Sequence, residues 1–211
     1  MASPNQTAGT PRSNSLLAKK YRIGDGDAGI LATIRMMQAV TFGGEGVGNP
    51  AVRAAALEAV QGLQRGADEI NSVFEWVKDN IEFRGEYAET IQTPYFTLQV
   101  RAGDCDDHST LIAAMLESLG FETRFNTIST GGDADEFSHV FAEVKLRGSE
   151  QWIPLDTTVR SSYPGWLPKN ISRMKVRSAR PAAMRGAGIV HDLLWLGLGL
   201  AASTFLLKKG R

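Results

Sequence analysis

Cys105 is the single cysteine in 211 residues, and it stands in the run RAGDCDDHSTLIAAMLESLG, where a glycine-acid turn hands over to a helical pattern. His139 follows in FSHVFAEV and Asp156 in QWIPLDTT. A thiol at a helix start, then an imidazole and a carboxylate on two short strand patterns, is the order thiol acyl transfer needs: nucleophile, base, and a group that orients the base. Free cysteine has a pKa of about 8.5 and is mostly thiol at neutral pH. Unpaired N–H groups at a helix N-terminus favour the thiolate, but Asp104, Asp106 and Asp107 oppose them here. A cationic partner such as His139 is then needed. The backbone N–H of Cys105 offers half of an oxyanion hole. Gln99, upstream of the cysteine, is the candidate for the second donor, with Tyr95 and Trp76 behind it.

Blander readings compete. A lone cysteine is usually a small buried hydrophobe, a lone strand histidine a core residue, and Asp156 could simply end a strand. The ordered combination favours the catalytic reading. His108 is the internal rival as base, because it lies one turn after Cys105 and leans back toward it, although nothing in the sequence orients it. A zinc site on Cys105, His108 and nearby aspartates lacks the further cysteines or histidines such sites use. GDGD at 24–27 and DADE at 133–136 lack a full calcium-loop pattern. The expectation is no metal and no cofactor.

The elements that must position these groups are legible as patterns. DAGILATIRMMQAV reads as a helix with Ile30, Leu31, Ile34, Met37 and Val40 on its apolar stripe. After the GGEGVG break, Asn49 caps a second helix, with Pro50 in its first turn and Val52, Ala56, Val60 and Leu63 inward. Ile70, Val73, Phe74, Val77 and Ile81 mark one face of a third. The fourth runs from Asp104 to Leu119, stopped by Gly120, with Cys105, Ser109, Ile112, Leu116 and Leu119 on one side. FETRFNTIS, FSHVFAEVKL and QWIPLD then read as strands joined by hairpin-length connections, hence an antiparallel sheet. A two-residue turn at Arg147 and Gly148 would set Lys145 against Glu150 and His139 directly opposite Asp156, on the same face.

Bulk composition narrows the class. With 43% apolar and 22% charged residues the chain is an ordinary globular protein. Its 23 basic and 23 acidic residues cancel, so no chain-wide charge argues for nucleic acid. One cysteine forms no internal disulfide, which fits a reducing compartment. The N-terminus lacks the apolar core of a secretory signal. Near the other end, Lys169 to Gly188 is basic without an acid, and the apolar run LLWLGLGLAASTFLL (193–207) follows. As a helix that run spans roughly 22 Å, short of a hydrocarbon core of roughly 30 Å. It reads as a helix packed on protein, a membrane anchor, or a surface-lying helix.

NSVFEWVKDNIEF, RAGDCDDHSTLIAAMLESLGFETRF, FSHVFAEV and WIPLDTT together resemble the transglutaminase-like superfamily of thiol enzymes, a branch of the papain-like fold. The resemblance covers roughly residues 70 to 158. It implies nucleophile, base and orienting acid at Cys105, His139 and Asp156, and an α+β core with the cysteine helix packed on an antiparallel sheet. Small members with such a helical N-terminal segment resemble proteins of bacteriophages and prophages.

The domain reading is a flexible leader (1–20), an N-terminal helical segment (21–66), the core (67–165), a basic linker (166–188) and a C-terminal apolar helix (189–211). The functional expectation is a cysteine hydrolase, peptidase or amidase, or a transglutaminase, acting on a peptide or protein substrate through a thioester. The alternative is a catalytically silent structural or adaptor protein, such as a virion component or membrane-linked scaffold. The expected setting is the cytoplasm or a virion, with membrane or particle association through residues 189–211.

Overall fold

The computed structural model describes residues 26–63, 66–85, 90–130 and 137–180. Three helices come first: α1 (Gly26–Phe42), α2 (Pro50–Val60) and α3 (Gly66–Asn80). The expected second cap is present, with the Asn49 side chain accepting the Ala51 N–H at 2.9 Å ahead of Pro50. In α3 the expected face is inward: Ile70, Val73, Phe74 and Val77 are buried, as is Ile81 just beyond the helix. Two expected core residues are exposed instead. The buried seam of α1 runs through Ile34, Met37 and Thr41, with Ile30 packed against the core. Leu31 is offset from that line by about 100°. Leu63 leaves its helix because Gln61 and Gly62 adopt positive φ values of 31° and 83°.

The central element is α5 (Cys105–Ser118). It begins where expected but is enclosed, not one-sided: Leu111, Ile112, Ala113, Ala114, Met115 and Leu116 are all 0% exposed. Helices α1, α2 and α3 pack on it, together with α4 (Pro94–Val100), while a sheet covers its other side. A helix with neighbours all round can be apolar all round. The sequence reading missed α4, although Thr93 caps it and Pro94 opens it. It also missed the parallel pairing of β1 (Glu82–Phe83) with β2 (Ala102–Gly103).

The main sheet holds β3 (Thr123–Thr130), β4 (His139–Lys145), β5 (Trp152–Leu155) and β6 (Ile171–Ser178) in the order β5-β4-β3-β6, all neighbours antiparallel. The α+β expectation, a cysteine helix on an antiparallel sheet, holds for the described residues. β6 corrects the basic-linker reading of 166–188. Its Arg173, Lys175 and Arg177 alternate with Met174 and Val176 along an edge strand, where basic side chains commonly protect an unpaired rim.

The hairpin register also differs from expectation. Lys145 pairs with Trp152 and Ala142 with Leu155. Arg147 and Gly148 do turn, since the Ser149 N–H donates to the Leu146 carbonyl at 3.1 Å and Gly148 has φ +76°. That turn lies inside a longer loop, however, closed by the Leu146 N–H donating to the Gln151 carbonyl at 2.9 Å. The pairing is therefore shifted by two residues. An even shift keeps every side chain on its face, and the Lys145–Glu150 ion pair survives at 2.8 Å.

Among the described residues no helix is long and apolar enough to cross a membrane. The leader and the apolar run at 193–207 lie outside the described residues, as do both acidic loop patterns in part or whole.

Candidate active site

Cys105 occupies the first position of α5, and local bonding fixes that start. Asp104 is the N-cap, its side chain accepting the Asp106 N–H at 3.3 Å. Asp107 completes a capping box by accepting the Asp104 N–H at 3.2 Å. Its other oxygen accepts the Gln92 N–H at 2.7 Å, which straps the 90–93 segment across the helix tip. The carboxylates of Asp104, Asp106 and Asp107 come within 4.8 Å of one another. Their shared bonds with the backbone account for Asp104 and Asp107 as caps.

β5 ends at Leu155, so the edge of β4 near His139 and Val140 is left unpaired on that side. The first turn of α5 takes the place of the missing strand. Ser109 Oγ donates to the Val140 carbonyl at 3.3 Å, and the Cys105 sulfur meets the Val140 backbone in a hydrogen bond that favours thiolate. Cys105 itself remains half-buried. Burial is nonetheless the largest influence on its thiol and pushes its pKa well up, with Asp106 and Asp104 adding to the rise against the Val140 bond.

His139 and Asp156 are brought together. His139 Nε2 lies 2.8 Å from Asp156 Oδ2. Asp156 Oδ1 accepts the Thr158 N–H at 3.1 Å and the Thr158 hydroxyl at 2.6 Å. Burial alone would raise the Asp156 carboxyl, but the bond and charge of His139, joined by Thr158, hold it below the usual carboxylate range. An ionised carboxylate only accepts, so Nε2–H is the donor to Asp156, and Nδ1 is the ring nitrogen left free of that bond. The ring also lies 6.4 Å from that of Phe141, on the same sheet face.

Other candidates fall elsewhere. Gln99 is exposed on the solvent side of α4, because Pro94, Thr97 and Leu98 form that helix's inner face. The sequence-based oxyanion assignment therefore lacks support from its position. Trp76 directs its indole N–H to Glu58 at 3.5 Å and stacks under Arg101. His108, expected to be unoriented, is buried and its Nδ1 lies 2.9 Å from Thr157 Oγ1. Thr157, Thr158 and Gln92 were not singled out from sequence. The D-x-T pattern of an Asx-turn was the available signal for Thr158; Gln92 offered none.

A helix that starts at the thiol and is enclosed by other helices and by an antiparallel sheet, whose second strand opens on a histidine bonded to an aspartate, gives the chain a papain-like fold. Residues 53–157 match the model of the transglutaminase-like superfamily, and the chain belongs to that superfamily. Among solved structures it is similar to a protein inferred to be a cysteine protease from Cytophaga hutchinsonii, at 16% identity and TM-score 0.44, covering 60% of this chain and 50% of that one. It is also similar to a protein inferred to be a protease from Parabacteroides distasonis, at 14% identity and TM-score 0.44, covering 62% and 29%. A TGase structure matches at 15% identity and TM-score 0.37, covering 66% and 35%. The chain thus spans half or less of each of these relatives. No curated protein matches it.

Proposed function

We propose that the chain is a cysteine-nucleophile acyl-transfer enzyme acting on amide or peptide bonds, with Cys105 as nucleophile, His139 as base and Asp156 as the orienting acid. The observation that carries this reading is the 2.8 Å bond between His139 Nε2 and Asp156 Oδ2, made by the residue next to Val140, whose backbone meets the Cys105 sulfur. Asp156 fixes the tautomer, so Nδ1 takes the thiol proton as sulfur attacks the substrate carbonyl. The Cys105 N–H, unpaired within its helix, donates to the developing oxyanion. Collapse breaks the C–N bond, and the leaving amine takes the proton back from His139. Water or a second amine then resolves the thioester, giving hydrolysis or transamidation.

Burial and the neighbouring aspartates disfavour the Cys105 thiolate, which favours general-base removal of its proton by His139 over a standing ion pair. Alkylating Cys105 with iodoacetamide across pH 5 to 10 tests this. The expected profile has an inflection that disappears in His139→Ala. A profile that His139→Ala leaves unchanged would remove the enzyme reading. Mass spectrometry of an acyl adduct on Cys105, after exposure to a peptide library, would then begin to define the substrate.

A specific observation favours a second reading. The raised thiol pKa and the acidic neighbours suit a retained fold without turnover, as in a structural or adaptor protein. That role expects copurification with particles or membranes, lost on deleting residues 189 to 211, and no acyl adduct.

A further inference from the structure

His108 is 1% exposed, one turn along α5 from the thiol. Its Nδ1 lies 2.9 Å from the hydroxyl of Thr157, the residue that follows Asp156. The edge of the ring meets Phe83, with centroids 6.2 Å apart at 61°. Nε2 is buried and makes no hydrogen bond, though the Glu82 backbone carbonyl is close enough to favour a proton on it. A buried donor left unsatisfied is destabilising where an apolar side chain of similar size would not be. An apolar side chain of similar size could fill the same space, and the Thr157 bond is the feature it could not reproduce.

That bond crosses between the two halves of the candidate site. Apart from its bond to His139 on β4, the bonds of Asp156 belong to its own turn: Thr158 binds the carboxylate, and Ser162 Oγ donates to the Asp156 carbonyl. They fix the carboxylate within its turn without fixing the turn against α5. We propose that His108 is a positioning residue, whose bond to Thr157 holds the Asp156 turn, and through it His139, in register with Cys105 on α5. Burial lowers the His108 pKa, which keeps the ring neutral. With the Nε2 proton facing Glu82, Nδ1 is an acceptor and the Thr157 hydroxyl donates to it. Geometry of this kind matters because a misplacement of about 1 Å can cost on the order of a hundredfold in rate.

The inference rests on the acyl-transfer reading, and its test separates the two. Iodoacetamide alkylation profiles would be compared for wild type, His139→Ala, His108→Leu, His108→Asn, Thr157→Val and Thr157→Ser, with each fold checked by circular dichroism. The expected result is a loss of about tenfold or more near pH 7 in His108→Leu and Thr157→Val, with both profiles moving toward that of His139→Ala. The double variant should be no worse than either single one. His108→Asn, which keeps a polar atom near the Nδ1 position, and Thr157→Ser, which keeps the hydroxyl, should restore most of the wild-type profile. Should His108→Leu misfold, Thr157→Val interrogates the same bond from its other end. Wild-type profiles in His108→Leu or Thr157→Val, while His139→Ala is altered, overturn the positioning role alone. A profile indifferent to His139→Ala overturns both readings.

Discussion

Gly103 and Asp107 approach so closely that a Cβ on the glycine would stand 2.5 Å from the Asp107 Cβ. Asp107 has no freedom to retreat, since its carboxylate holds the N–H groups of both Gln92 and Asp104. Gly103→Ala should therefore push the cap off the helix start that carries Cys105. We expect a loss of about 1–3 kcal/mol in urea unfolding, together with an altered alkylation profile at Cys105.

Asp106 is the strongest electrostatic opponent of the thiolate, after burial itself. Asp106→Asn should lower the Cys105 pKa toward its ordinary value and speed alkylation at pH 7 by about three- to tenfold. Slower alkylation would show that Asp106 supports the site by another route.

Asp156 carries a depressed pKa, so the folded state binds the proton less readily than the unfolded chain. Its contribution to stability is full above about pH 4, the unfolded carboxylate value, and is lost as pH falls through the lower folded value. Denaturation midpoints of wild type and Asp156→Asn should differ most at neutral pH and converge under acid conditions. Acyl transfer in the variant should fall by about 10²- to 10⁴-fold, because the amide no longer enforces the imidazole tautomer.

Arg180 bonds Glu117 at 3.0 Å, joining the chain beyond β6 to the end of α5. The Glu117 side chain is 1% exposed and that of Arg180 is 31% exposed. Arg180→Ala removes the cation from a buried carboxylate that keeps only its bonds from the Thr123 N–H and hydroxyl, and partial solvation of the arginine limits the loss to about 1–3 kcal/mol. Thermal unfolding at pH 7 measures it, and Glu117→Gln in the same background should recover part of the deficit.

Much of the architecture could be read in advance because it is local. The spacing of Ile70, Val73, Phe74 and Val77 determines the inner face of α3 wherever that helix docks. Asn49 before Pro50, and Asp104 before Cys105, start helices through bonds to backbone only two or three residues away. α4 escaped notice because a helix of seven residues has too few turns to show a period. β6 escaped because its basic residues masked the alternation.

The site divides along the same line. Residue order alone pointed to Cys105, His139 and Asp156, and alternation in the strands decided that the last two share a face, a conclusion that an error of two residues in register could not disturb. Only the assembled fold decided that Asp156 reaches His139 diagonally, since the register carried past Leu155 sets Asp156 beside Phe141. The fold likewise gave His108 its partner in Thr157 and turned Gln99 to solvent. Side-chain type and period are properties of a segment, whereas register and cross-element bonds depend on how loops close and which surfaces meet.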